Sequence, residues 1–254
     1  MTSGVVVGTS ISDLWGSSSG REKKVVKKVK LQRISEHVWI FPFNSAKDRP
    51  NLGYICGAKM ALAVDAGHSS AHVEEFYDEI RAEELPLPEI TVITHWHWDH
   101  TYGMHAVNGK TMARPETNAK LVQISREMSR EPAKVREFLN SDPTIRREYA
   151  GGVPVIVVPA DENIQEDRII DLGGVTAELI MTESPHTDDA LLVYVPEDRV
   201  LFVGDAQLGE FPSWKMDWDK MAAFEKKVQG IDADVIIDGH WKPYRKEEFL
   251  AEIS

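Results

Sequence analysis

Three histidines and an aspartate stand within the segment THWHWDH: His95, His97, Asp99 and His100. Imidazole nitrogen and carboxylate oxygen are the donors that zinc and related divalent ions accept. The segment directly follows EITVIT (89–94), an apolar run that reads as a buried strand. Extended backbone would put positions 95, 97 and 99 on one side, and a turn would then add His100. This is not the helical H-E-x-x-H spacing, in which two histidines share a helix face. Three histidines and a carboxylate are more than one tetrahedral centre with an open position takes from so short a stretch. Two adjacent ions are therefore favoured.

Three more donors occupy equivalent places downstream. His186 follows the strand-like VTAELIM, in TESPHTDD; Asp205 ends VLFVG; His240 follows DVIID, in DGHW. Each stands just beyond an apolar run. In sheets flanked by helices, ligands bind at the carboxyl ends of the strands. One histidine in such a place means little, but four strand ends that each supply His or Asp form a pattern.

The elements that must carry these donors read as strands alternating with helices. VWIFPF (38–43), LGYICG (52–57) and MALAVDAG (60–67) are short β-rich runs, with the turn-forming NSAKDRPN between the first two. A helix is predicted over 72–84, where Val73, Phe76, Tyr77 and Ile80 recur at helical spacing behind Ser69 or Ser70 as a cap. Residues 115–150 read as charged helix broken at Pro132 and Pro143. Further strands are predicted at VPVIVV (153–158), 175–181, 191–195, 200–204 and 234–238, with helices over about 217–229 and at the end. Mixed order of this kind fits an α/β fold of two packed sheets with helices outside.

Composition narrows the partners. The 254 residues carry 41 acidic and 29 basic side chains, a formal charge of −12. A surface built to grip phosphate backbones leans the other way, so nucleic acid is not an expected partner. No run approaches the roughly 18 apolar residues of a membrane span. The single cysteine, Cys56, excludes an internal disulfide framework and a multi-cysteine zinc ribbon. Residues 1–30 are small and polar, then basic (REKKVVKKVK), and read as a flexible or vector-derived extension of a domain at 31–254. The competing reading is an edge strand through VVKKVKLQRI. With no export signal legible, a cytoplasmic location is expected.

The HWHWDH motif, the PHTDD histidine, the Gly204–Asp205 pair ending a strand and the Gly239–His240 pair together resemble the metallo-β-lactamase superfamily over residues 31–254. The resemblance implies an αββα sandwich of two mixed sheets with a dinuclear metal centre along its edge. It assigns His95, His97 and His186 to one metal, Asp99, His100 and His240 to the other, and Asp205 as a bridge. Asp65, in AVDAG, matches a position that orients a ligand from behind by hydrogen bonding. Zinc is the expected metal, with manganese or iron as alternatives. The aspartate at 205 looks like the hydrolase branches, since the true β-lactamases usually carry Cys or Ser there. Glyoxalase II has the same seven ligands but adds a C-terminal helical domain, for which the 14 residues after His240 are too few.

Paired divalent ions draw the pKa of a bridging water toward neutrality, supplying hydroxide as nucleophile. The expected enzyme is thus a metal-dependent hydrolase of a small-molecule ester, thioester, lactone or amide, β-lactams included, with Asp99 also moving the proton. The alternative is a small-molecule phosphodiesterase or phosphotriesterase with the same metals. Tyr54, Trp98, Trp214 and Lys215 are expected to flank the substrate. Lys215 suits a substrate carboxylate, or else simply stands in solvent. The remaining histidines, His37, His68, His72 and His105, lack ligand spacing and read as structural or solvated. The charged helices of 115–150 would cover the site, form an outer layer or join subunits, which leaves a homo-oligomer open.

Overall fold

The structure, a computed structural model, describes residues 29–254. Positions 1–28 of the expected extension lie outside the described residues. Within VVKKVKLQRI, Gln32–Arg33 forms a short edge strand, β1, antiparallel to β2 (Val38–Phe41). β3 (Leu52–Cys56) and β4 (Ala61–Val64) continue this antiparallel meander. β5 (Ile90–Val92), β6 (Lys110–Ala113) and β7 (Glu162–Asn163) then add in parallel, completing a seven-stranded sheet in chain order. Parallel neighbours need crossovers. These contain α1 (Ser70–Ala82), then α2 (Trp98–Thr101) with a 3-10 turn at Met104–Ala106, then α3 (Pro115–Arg130), α4 (Pro132–Ser141) and α5 (Pro143–Glu148).

The second sheet comprises β8 (Arg168–Asp171), β9 (Thr176–Met181), β10 (Leu191–Val195), β11 (Val200–Gly204), β12 (Val235–Asp238) and β13 (Tyr244–Arg245), in that spatial order. Only β11 and β12 pair in parallel, and α6 (Trp218–Gly230) crosses between them. α7 (Lys246–Ile253) closes the chain. Val38, Ile40, Leu62, Val64 and Val92 of the first sheet meet Leu179, Val193, Val200, Phe202 and Ile237 of the second in one core. Each such side chain, fully buried, contributes about 1.5–3 kcal/mol.

Helices cover both outer faces. On the first sheet, Val73, Phe76, Tyr77 and Ile80 of α1 pack on Tyr54, Ala61 and Ala63. On the second, Met221, Phe224 and Val228 of α6 and Phe249 and Ile253 of α7 pack on Leu192, Leu201 and Ile236. The αββα sandwich follows. Ser69 caps α1 by accepting from the His72 amide, and α3, α4 and α5 each begin on a proline at their first turn, where its missing N–H costs nothing. Among the described residues, no helix is long and apolar enough to cross a membrane.

One expected strand is absent. Residues 153–158 form no strand; Pro154 and Pro159 lack the N–H a ladder needs, and Val155, Val157 and Val158 instead pack in the cluster of Tyr102 and Leu121. The sheets are also joined at a polar point. Asp198, in the turn between β10 and β11, accepts from the His37 amide at 2.7 Å, pairs with His37 Nδ1 at 2.8 Å and accepts from the Ser35 hydroxyl.

Candidate metal centre

The seven sequence-picked donors come together at one edge of the sandwich. His95, His97 and His186 offer ligand atoms that all lie within 4.8 Å of one another, and so do Asp99, His100, Asp205 and His240. The first sheet supplies the HWHWDH segment through the end of β5 and the short helix α2. The second sheet supplies His186 after β9, Asp205 after β11 and His240 after β12.

Local backbone aims these side chains. β4 is followed directly by Asp65, a non-glycine residue at φ 66°, and its carboxylate turns under the HWHWDH segment. Asp65 Oδ2 meets His100 Nδ1 at 2.7 Å, while Oδ1 accepts from the Thr94 amide at 2.8 Å and from its hydroxyl at 3.0 Å. The Thr94 hydroxyl also stands 3.1 Å from His95 Nδ1. His186 Nδ1 donates to the Gly209 carbonyl at 2.8 Å. In His95, His100 and His186, the nitrogen left over is Nε2, and it faces the cluster. Such contacts fix the tautomer that a ligand histidine must adopt.

Electrostatics separates the two groups. Burial, aided by neighbouring imidazoles, holds His95 well below its usual range and takes His97 down to about 3, so both rings are neutral and carry free lone pairs. His186 Nε2 and His95 Nε2 stand 2.9 and 3.1 Å from His97 Nδ1, near the roughly 3.3 Å spacing of nitrogens around a tetrahedral zinc. In the second group, burial opposes ionisation, but the close pairing of acids and imidazoles outweighs it. Asp99 and Asp205 are held well below the carboxylate range, and His100 and His240 well above the imidazole range. His240 Nε2 lies 3.0 Å from Asp99 Oδ2 and 3.2 Å from Asp205 Oδ2.

This donor set fits divalent cations. His100 Nε2 and Asp205 Oδ1 are buried without a hydrogen bond of good geometry, 3.5 Å apart. Buried polar atoms are rarely left so, and a cation taking both lone pairs would satisfy them. Two residues too compact to obstruct it complete the arrangement. A β-carbon at Gly239 would stand 2.1 Å from Asp205 Oδ1, and one at Gly204, at φ 55°, would stand 2.6 Å from the Thr94 hydroxyl.

A cavity of about 720 Å³ opens beside His97 and His186, lined among others by Trp96, Phe211, Trp218, Lys215 and Asp189. That volume suits a small molecule. Trp98 is not part of this lining but packs behind it, its ring centroid 4.9 Å from Phe211 and 5.6 Å from His97. Trp214 is exposed and stacks on His186, with centroids 6.3 Å apart. Tyr54 is not at the site: it is fully buried under α1 and its hydroxyl donates to the Pro86 carbonyl. On a strand facing α1, its ring points away from the sheet edge, which corrects the expectation that it touches substrate. His68 and His72 are buried and His105 bonds the Tyr102 carbonyl, matching their structural reading.

Sequence reasoning missed the supporting cast. Asp48, at φ 51°, accepts from Trp98 Nε1 at 3.3 Å; burial, then the nearby Asp99 charge, raises its pKa. Asn51 donates to the Asp238 and Trp241 carbonyls at 2.8 and 2.7 Å, and so ties the His240 loop to the first sheet. The only signal was the DRPN run, legible as a loop and nothing more. The α3–α5 segment also contributes to the site, since Phe138 of α4 meets Trp98 edge-on at 6.4 Å.

Known proteins share this arrangement. The sequence model of the metallo-β-lactamase superfamily matches residues 49–248. The chain is 21% identical to an atrochrysone carboxyl ACP thioesterase of Aspergillus fumigatus, over 70% of this chain and 46% of that one. It is 22% identical to the acyl-coenzyme A thioesterase MBLAC2 of Gallus gallus, over 81% and 77%. The chain thus spans about half the length of the fungal relative. Among solved structures, a metallo-β-lactamase from Pontibacter korlensis superposes with a TM-score of 0.65 at 19% identity, covering 88% of this chain and 98% of that one. With the family pattern matched over most of its length and the two-sheet architecture in place, the chain belongs to the metallo-β-lactamase superfamily, a family of hydrolases.

Proposed function

We propose that this protein is a metal-dependent hydrolase of small-molecule esters, with thioesters as the favoured class. The observation that carries this reading is the convergence of seven donors from both sheets beside a cavity of substrate size. Thioesters are favoured because two relatives, matched over most of this chain, bear thioesterase names. His95, His97 and His186 would hold one cation; Asp99, His100 and His240 would hold a second, with Asp205 shared between them. Zinc suits a set of five imidazoles and two carboxylates. Bound there, divalent cations supply a water acidified to near-neutral pKa and a Lewis acid for the acyl oxygen.

The chain's own residues set up the rest. Asp65 and Thr94 lock His100 and His95 from behind, and the Gly209 carbonyl locks His186. Asp99, 3.0 Å from His240 through Oδ2, is the carboxylate placed to accept the attacking water's proton and return it to the departing thiolate or alkoxide. Phe211, backed by Trp98, shields the reacting carbonyl from bulk water, which strengthens every charge interaction inside.

The test is elemental analysis of the purified protein together with a panel of acyl thioesters, chromogenic carboxylic esters and chromogenic phosphodiesters, with and without chelator. Two equivalents of metal and chelator-sensitive thioester hydrolysis are expected. Turnover confined to the phosphodiesters would move the assignment to phosphoester chemistry, and silence across the panel in metal-loaded protein would overturn it.

A further inference from the structure

His240 has the least support of the seven donors. Its side chain is 28% exposed, whereas the other six donors are buried. His95, His100 and His186 are each held by a contact at Nδ1. Among the described residues, no hydrogen bond reaches Nδ1 of His240, whose polar contacts run through Nε2 and its backbone amide. With little packing and no lock on that atom, the ring takes its place from the backbone of residues 238–241.

That backbone is held in two ways. Within the second sheet, Asp238 Oδ1 accepts from the His240 and Trp241 amides at 3.2 and 2.8 Å, and the Gly239 amide donates to the Gly204 carbonyl at 2.9 Å. These bonds shape the loop but do not set its distance from the first sheet. Asn51, just before β3, does that. Its backbone amide donates to the Gly239 carbonyl at 2.6 Å, and its side-chain nitrogen donates to the Asp238 and Trp241 carbonyls at 2.8 and 2.7 Å. Its side-chain oxygen accepts from the Phe43 amide at 2.9 Å, and the Phe43 ring lies parallel to Trp241 with centroids 6.3 Å apart. One residue thus grips three carbonyls that bracket His240. Asn51 is 5% exposed, so water does not readily replace bonds lost there.

We propose that Asn51 is the positioning residue for the second cation, and that without it the protein retains only the cation of His95, His97 and His186. Asp99 and His100 come from the first sheet and His240 from the second, so their site closes only where the two loops are pinned together. The Asn51 grip is that pin, and His240 Nε2 stands 3.0 Å from Asp99 Oδ2. None of the Asn51 contacts reaches the first group, whose His186 is held by the Gly209 carbonyl within its own sheet. The inference rests on the two-cation reading and adds what decides occupancy of the second position.

The test is a calorimetric zinc titration of the metal-free, full-length protein, with elemental analysis of the loaded product. Wild type is expected to take two equivalents. Asn51→Leu keeps the approximate size of the side chain and removes its three hydrogen bonds. It should weaken the second equivalent about 10–100-fold and leave the first within about twofold. In imidazole-nitrogen NMR of this variant, the His95 and His186 signals should shift with the first equivalent while those of His100 and His240 stay in place. A general loss of structure would move all four together. Trp241→Ala decides the matter if Asn51→Leu does not fold. Trp241 is 57% exposed, and loss of its contact with Phe43 should weaken the second equivalent about two- to tenfold. An unchanged second affinity in the deciding variant, or equal losses at both sites, would overturn the proposal. A wild type that itself stops at one equivalent would bring down the two-cation reading and this inference with it, so the two failures differ in which protein shows them.

Discussion

Gly239 and Asp205 approach so closely that a β-carbon on the glycine would stand 2.1 Å from Asp205 Oδ1 and 3.0 Å from His100 Cε1. Gly239→Ala should therefore displace the shared carboxylate while leaving the core untouched. We expect at least about a 100-fold loss in kcat/KM, the scale associated with ångström misplacement of reacting groups. Steady-state kinetics beside a thermal melt checks this: a normal rate would show that Asp205 need not sit where it does.

Asp65 touches the site only through His100 and Thr94. Asp65→Asn should weaken metal retention or activity by about 10–100-fold, the range for partners that orient a ligand histidine. A competition titration with a chromogenic chelator reads the affinity directly. An affinity equal to wild type would remove the orienting role.

Glu148 of α5 and Arg49 form a buried ion pair at 2.7 Å, and Glu148 also accepts from the Ser69 hydroxyl. Removing Glu148 leaves buried Arg49 with only its half-exposed second partner, Glu75, at 3.0 Å, so Glu148→Ala should cost up to about 3 kcal/mol in urea unfolding. The contacts tie α5 to the cap of α1 and to the loop bearing Asp48. A loss below about 1 kcal/mol would mean that Glu75 alone suffices for Arg49.

Asp198 carries a pH dependence with a definite sign. Burial would raise its pKa, but hydrogen bonds from His37 and Ser35 outweigh burial and hold it below the usual value. A depressed folded pKa means the unfolded chain takes up the proton first. The stabilisation is present above the unfolded pKa of about 3.9 and fades as pH falls through the folded value. The stability gap between wild type and Asp198→Asn should accordingly be constant from pH 6 to 5 and narrow below about pH 4. A gap that widens on acidification would reverse the assignment.

Chelation should lower the melting temperature, because cations held by the native donors and not by the unfolded chain stabilise by mass action. At free metal about 100 times the dissociation constant, one site contributes about 2.7 kcal/mol. Differential scanning fluorimetry across a zinc titration checks this, and an unchanged midpoint would count against native metal binding.

The donors were legible because chemistry restricts residue type: few reasons other than ligation put His, His, Asp and His after one buried strand. The helices of 115–150 were legible because Pro132 and Pro143 mark their starts. β6 and β8 escaped notice, since KTMA and RIID are four-residue strands with too little alternation to register. VPVIVV misled in the other direction, because apolarity alone does not reveal where its prolines deny a ladder. Tyr54 misled for a third reason. Its neighbourhood in sequence is near the site, but strand alternation decides which face its ring takes, and that face belongs to α1. Asp48 and Asn51 gain meaning only from contacts more than 45 positions away.

Each sheet owns part of the donor set, the first through His95, His97, Asp99 and His100 and the second through His186, Asp205 and His240. The seam between layers is consequently the place where any slippage of one layer over the other would be felt first. A cobalt ion seated there would act as a strain gauge, its visible absorption reporting sub-ångström shear long before the hydrophobic interior comes apart.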